Sequence, residues 1–468
     1  MKDLLKLGLT ALLALVLAGC GSSGSSSDSG GNTPKYIITF LNTNLDIINS
    51  TIKPSGNVNI TAIADEFGIT SAYRANDITN IAGDATYEDY NLTENINFYN
   101  TSNFDVTEIR TQEELNNTRI NLSGTYILLN DIELKAKSAD GTREAGFEDG
   151  NGWLPIGDPT DRFEGIFSGG SHKITNLWSL RAGGNVGLFG YIDNNAAIKN
   201  IGVEIGSYNI VGLYYVGAIA GYVESGSITN SYSKGNVSGY EYVGGIAGLV
   251  ESGSITNSYS TGAIVGENFV GGIVGRLQGN GASITNSYTT GDISGADFVG
   301  GIIGDTRGTS FITNSYANGD VIGIADYVGG IAGYVQNCSI TNSYSKGNVS
   351  GHDFVGGIAG AIIGGTIQNN AAINPSVTGD YLVNRIVGNK GGGTVSNNFA
   401  YKLMTLSGDT VFGKDGTDKD SDTLKEQDTY SNATSNGGLG WKFGNDDLSP
   451  WQIGGGKNSG YPYLYFQD

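Results

Sequence analysis

Three consecutive stretches of this chain are near copies: VGAIAGYVESGSITNSYSKGNVSGYEY at 216–242, VGGIAGLVESGSITNSYSTGAIVGENF at 243–269 and VGGIVGRLQGNGASITNSYTTGDISGADF at 270–298. Within the ITNSY segment, Asn230, Asn257, Asn286, Asn314 and Asn342 recur at spacings of 27, 29, 28 and 28 residues. Val186, Val216, Val243, Val270, Val299, Val328, Val355 and Val383 head successive copies. A fixed period of this size marks a solenoid, in which each copy is one layer that cannot bury its apolar face alone. Each copy holds three β-prone pieces, such as VGGIAG, SITNSYS and GAIVG, with too few strong helix formers for a helical hairpin. The expected fold class is therefore all-β, a right-handed parallel β-helix of about 28-residue coils preceded by a small β-rich module.

Stacked coils bring equivalent residues about 4.8 Å apart, the spacing of paired strands. Ile228, Ile255, Ile284, Ile312 and Ile340 should then form an interior aliphatic column, and Tyr232, Tyr259, Tyr288, Tyr316 and Tyr344 an aromatic one. The Asn column can hydrogen-bond amide to amide at a bend, satisfying groups that are costly to bury unpaired. Paired glycines such as Gly244 and Gly245 suit a corner where a side chain would clash. Strict alternation would send Val243 and Ile246 to opposite faces, so a bend is expected between them.

Composition fits an elongated fold. Only 38% of the 468 residues are hydrophobic and 75 are Gly, little for a globular core of this length. The net charge of −20 and the absence of long basic runs argue against nucleic acid as a partner.

The start, MKDLLKLGLTALLALVLAGC, has a basic residue, a short apolar run and small residues before Cys20, the pattern of a secretory signal. Its end, LAGC, resembles a bacterial lipobox, which implies cleavage before Cys20 and lipid acylation there, hence a membrane-tethered envelope protein. The chain divides into the signal 1–20, a Gly/Ser tether 21–33, a β-rich module 34–107, the repeats 108–407 and a capping segment 408–468. TQEEL, with the capping-box spacing of Thr111 and Glu114, predicts a short helix able to close the open end of the stack. Cys338 replaces a small turn residue in one copy and, with no partner cysteine or nearby histidine, reads as a tolerated substitution rather than a reactive thiol.

VGGIAG, VGGIVG and VGGIIG resemble the GLUG motif of bacterial surface proteins. YILLNDIEL and FEGIFSGGSHKITNL resemble that family's first coils, and GWKF with PWQIGGGKNSGYPYL its closing segment. The family includes adhesins and segments beside the catalytic part of some immunoglobulin A metallopeptidases, so the resemblance implies a scaffold or contact surface. It carries over no catalytic residue.

The residues themselves offer little chemistry. His172 and His352 are the two histidines, and neither stands in HExxH. DKDSD at 418–422 lacks the Gly and closing Glu of a calcium loop. Aligned by coil, Asp297, Asp326 and Asp353 fall in consecutive layers, and Asp292 and Asp320 form a second pair. Stacked carboxylates repel, so either each caps turn amides or the three Asp residues hold Ca²⁺, the one cofactor considered. Tyr208 and Tyr240 are candidates for contact with sugars. The function expected is a lipid-anchored, adhesin-like scaffold binding a glycan, protein or matrix component, with no catalytic residues. The alternative is a carbohydrate-active β-helix enzyme, a polysaccharide lyase or glycoside hydrolase.

Overall fold

The computed structural model describes residues 35–42, 47–54, 56–67, 90–92, 96–99, 105–137, 141–410, 415–454 and 456–467. Cys20, the signal 1–20 and the tether 21–33 lie outside the described residues. The repeats wind into a parallel β-solenoid of about nine turns, with equivalent positions about 28 residues apart.

One coil serves for all. Strand Ser254–Thr256 lies on a first face, an eleven-stranded sheet. Tyr259–Ser260, Ile264–Val265 and Asn268–Gly271 make a bent second face, and Val274–Leu277 lies on a third, an eight-stranded sheet. The three β-prone pieces of each copy thus become five short strands on three faces. Ile255, Ile264, Val270, Ile273, Val274 and Leu277 all point inward with no exposed surface. Burying one such side chain stabilises by roughly 1.5–3 kcal/mol, and each is paired above and below by its own equivalent.

The expected columns form. Ile228, Ile255, Ile284, Ile312 and Ile340 pair in consecutive register and are fully buried. Val243 and Ile246 are both interior because the strand Glu241–Gly244 ends on the second face and Ala247–Val250 begins on the third. Gly245 stands at that bend: a Cβ there would lie 2.2 Å from Ser260 Oγ and 2.4 Å from the Gly272 carbonyl. Its lack of a side chain lets opposite walls of the coil meet.

Asn200, Asn230, Asn257, Asn286, Asn314, Asn342, Asn369 and Asn397 all adopt left-handed φ, between 49° and 59°. Asn tolerates this region better than other non-glycine residues, which explains its recurrence where the first face turns into the second. Nδ2 of Asn257 donates to Asn230 Oδ1 at 3.0 Å, Asn286 to Asn257 at 3.1 Å and Asn314 to Asn286 at 3.1 Å. The ladder converts the turn's side chains into bonds between layers.

The ends are closed differently. Thr111 and Glu114 form the reciprocal capping box, and the helix Gln112–Asn116 drives Leu115 into the core at the first layer. At the last layer, the Asp415 carboxylate accepts the Ile386 N–H at 3.0 Å and the Val387 N–H at 3.2 Å, satisfying amides that have no following strand on the third face. The strand Thr417–Lys419 pairs with Phe399–Tyr401 as the final rung.

The remainder of the segment expected to cap the stack runs back along its flank instead. Trp441 Nε1 donates to the Asn369 carbonyl at 2.8 Å, Tyr344 Oη to the Pro462 carbonyl at 2.7 Å, and Asn257 Nδ2 to Asp447 Oδ1 at 2.8 Å. The physical reason is the tyrosine column, which projects from the second face and needs cover. Tyr288, Tyr316 and Tyr344 are buried in one cluster with Leu424, Tyr430, Trp441, Trp451 and Leu464.

Ahead of the solenoid, Lys35–Leu41 pairs antiparallel with Ile47–Pro54 and parallel with Ile96–Tyr99. Leu41 and Val106 pack on Ile127 and Leu129, which face outward from the first coil.

Candidate functional site

With the interior filled by aliphatic side chains, any site on the solenoid is built from outward positions. The first face is the most uniform: Thr229, Thr256, Thr285, Thr313 and Thr341 stand in register.

The bend from second to third face carries a column that the sequence reading did not identify. Tyr215, Tyr242, Phe269, Phe298, Tyr327 and Phe354, each just before a heading Val, have φ between 53° and 63°. Their ring centroids are 5.0, 4.8, 4.8, 4.9 and 4.8 Å apart with interplanar angles of 3–19°. Such a bulky residue in the left-handed region costs about 1–2 kcal/mol, which stacking on two neighbours offsets. Because ring covers ring, the faces that could receive a sugar are occupied.

Beside this stack, the third face is not repetitive. Its outward column reads Tyr191, Tyr222, Leu249, Arg276, Asp305, Tyr334, Ala361 and Asn389. Asp305 is fully buried. Arg307 Nε donates to its Oδ2 at 2.9 Å; Arg276 Nε lies 3.2 Å from the same oxygen without hydrogen-bond alignment. Asp305 Oδ1 has no donor. Burial pushes the carboxyl above the usual carboxylate range, opposed by the two guanidiniums. Arg276 also lies 5.8 Å from the Tyr242 ring centroid and 5.6 Å from that of Phe269, and Tyr334 meets Phe298 and Tyr327 edge-on.

The acidic column lies one position ahead of the ring stack. Glu241, Asn268 and Asp297 pair in register, and Asp326 and Asp353 continue the line. Asp297 Oδ1 accepts the Asp326 N–H at 2.9 Å, Asp292 Oδ1 that of Asp320 at 2.9 Å, and Asp320 Oδ1 that of Asn348 at 2.7 Å. Each of these carboxylates therefore engages a backbone amide of the next layer. His352 joins the ladder: its Nδ1 is 3.6 Å from Asp326 Oδ1 and 3.1 Å from Asp353 Oδ1, and its Nε2 is 3.4 Å from Asp380 Oδ2. Asp326, His352 and Asp353 thus converge, whereas Asp297 is turned to the amide.

The other residues singled out are placed as follows. Tyr208, 66% exposed, leans on Trp178 at 5.2 Å, and Tyr240, 45% exposed, meets Tyr214 edge-on. These rings stand outside both columns and keep open surface. His172 Nδ1 is 3.3 Å from Asp131 Oδ1. Cys338 is fully buried, and burial pushes its thiol up to about 11, away from reactivity. In DKDSD, Asp418 pairs with the buried Arg385, and Asp420 Oδ1 accepts the Thr423 N–H at 2.8 Å. A cavity of about 390 Å³ at the first coils is lined by Arg119, Pro155, Asp158, Asp161, Arg181 and Asn185. Both arginines there are already engaged, Arg119 with the Pro155 carbonyl and Arg181 with Asp149.

Comparison with known proteins comes from several directions. A Gly-rich protein of Evansella cellulosilytica, provisionally described as a membrane protein, is 36% identical over 117 residues, 24% of this chain and 13% of that protein. Halomucin of Haloquadratum walsbyi is 30% identical over 138 residues, 29% of this chain and 1% of that protein. The chain thus spans only a small fraction of these curated relatives. A solved structure provisionally described as an immunoglobulin A1 protease of Bacteroides ovatus aligns with a TM-score of 0.41 at 21% identity, covering 77% of this chain and 92% of that one. The GLUG motif matches residues 212–238, 239–265, 268–294 and 325–350, each one coil of the stack, so the solenoid carries four GLUG repeats.

Proposed function

We propose that this protein is a cell-envelope scaffold, lipid-anchored through Cys20, whose solenoid binds a surface ligand, foremost a glycan, along an outward face. The observation that carries this reading is the contrast between a filled aliphatic interior and outward columns that differ from face to face. A stack of this kind presents a long regular surface, and the Gly/Ser tether lets it stand off from the anchor. The GLUG repeats support a surface role, as do relatives described as a membrane protein and a mucin. Unstacked Tyr208 and Tyr240 offer ring surface to sugars.

A polysaccharide array read for both binding and polymer shortening separates this reading from the carbohydrate-active alternative. Binding without shortening is the expected result; shortening overturns the scaffold reading. The anchor is tested separately: Cys20→Ser should abolish metabolic labelling by fatty acid and release the protein from the membrane fraction, and persistent labelling would exclude acylation at Cys20.

A further inference from the structure

We propose that Arg276, Gln278, Asp305, Arg307, Tyr334 and Gln336 form a binding patch on the third face for the carboxylate of a uronate-containing polysaccharide laid across three layers. The inference rests on the glycan-binding reading above and names the class of glycan.

The patch is where the repetition breaks. The first face keeps Thr at its outward position through five successive coils, whereas here successive layers present Arg276, Asp305 and Tyr334. The adjacent column changes sign. Glu224 and Glu251 stand toward the amino-terminal end and accept from the Tyr191 and Tyr222 hydroxyls; Arg307 and Gln336 follow in register further along, with Gln278 next to Leu277, the partner of Thr306. In a chain of net charge −20, two arginines around one aspartate leave a local excess of one positive charge. Among the described residues no second acid pairs with either guanidinium, and the Arg307 side chain is 41% exposed.

Asp305 supports a ligand role by its own poor accommodation. It is fully buried with one oxygen lacking a donor, a cost that an apolar residue at 305 would avoid. What the carboxylate achieves is to hold the exposed Arg307 beside the mostly buried Arg276, whose side chain is 15% exposed, and paired guanidiniums recognise carboxylates through charge-assisted hydrogen bonds. The surroundings select a sugar. Gln278 and Gln336 place amides, which both donate and accept, on either side of Arg307. Tyr334 lies outside the ring stack and meets Phe298 and Tyr327 at 89° and 88°. A neutral polymer would leave the excess positive charge of the two guanidiniums over Asp305 unpaired.

The test is equilibrium binding of the full chain to sodium polygalacturonate, to a neutral galactan and to polyglutamate. The expected result is binding of polygalacturonate that weakens with salt and falls by about tenfold or more in Arg307→Gln, measured where that variant is still folded, since loss of the donor to buried Asp305 lowers its melting temperature. Asp305→Asn, which keeps shape and removes a negative charge, should retain or strengthen binding. Unchanged affinity in Arg307→Gln, loss of binding in a folded Asp305→Asn, or equal binding of polyglutamate would each overturn the proposal. Binding of the galactan alone would overturn it while leaving the glycan scaffold standing; binding of no polymer on this set or on the wider array would remove both.

Discussion

Two aromatic columns run through the middle coils of this solenoid with nearly the same stacking geometry and different fates. Tyr232, Tyr259, Tyr288, Tyr316 and Tyr344 are spaced 4.8–5.1 Å apart; the stack from Tyr215 to Phe354 is spaced 4.8–5.0 Å. The first sits on regular strands, and its last three members are buried under the carboxy-terminal segment. The second sits on strained left-handed backbone and stays half open. Stacking is therefore a by-product of layer spacing, common to both, and what separates them is the cover. In the covered column burial pushes the Tyr316 and Tyr344 hydroxyls well above the ordinary tyrosine range, and each has a hydrogen-bond partner in the covering segment.

The comparison can be broken at its foundation by Ile284→Asp, which places an unpaired charge in the aliphatic interior that underlies both columns. That should cost more than about 4 kcal/mol in urea unfolding, against roughly 0.5 kcal/mol for the outward neighbour Thr285→Asp. Equal effects would overturn the inward assignment of Ile284. Next in size is Tyr316→Ala in the covered column, expected to cost about 3–5 kcal/mol because it opens a cavity beneath Trp451 and strands a hydrogen bond to Gln467. In the open column, Phe298→Ala should cost about 1–3 kcal/mol from two lost stacking contacts. Phe298→Gly should be less harmful by about 1 kcal/mol, since glycine adopts φ of 57° without strain. If alanine proves the milder change, left-handed backbone strain does not govern the site. The smallest effect concerns the acidic ladder: calcium held by Asp297, Asp326 and Asp353 would raise the thermal midpoint, by about 0.4 kcal/mol of stability at a concentration equal to Kd. The increment should vanish in Asp326→Asn, and its absence from the unaltered chain would leave Asp297 as an amide cap and Asp326 and Asp353 as neighbours of His352.

Features that recur at the period were legible in the sequence. The Ile column, the Asn turn and the bend after Val243 each appear at the same place in every copy, and parallel stacking turns same place into contact. The capping box at Thr111 was legible for a different reason, being local in sequence. The open aromatic column had its signal too, an aromatic residue before most of the heading valines, but period alone does not say that this residue leaves the strand conformation. Three features were hidden. The carboxy-terminal segment has no period, so nothing in it announces a flank rather than an end. The Arg276, Asp305 and Arg307 group becomes visible only once register places Arg276 beside Asp305. His352 meets acids from three layers, a proximity that needs the stack itself.

The bond from Asn257 to Asp447 joins residues 190 positions apart in a molecule otherwise built from neighbours one coil apart. Layers could be laid down one after another as the chain emerges, each needing only its predecessor. The segment that covers the tyrosine column follows the stack in sequence and reaches back over layers that precede it, as far as Asn257. Until it docks, Tyr316, Tyr344 and their neighbours face water as a sticky strip, so a chain halted near residue 420 would be a nearly complete stack with an aggregation-prone side. Docking of this segment thus doubles as a quality check: it hides the surface that would betray a stack left uncovered.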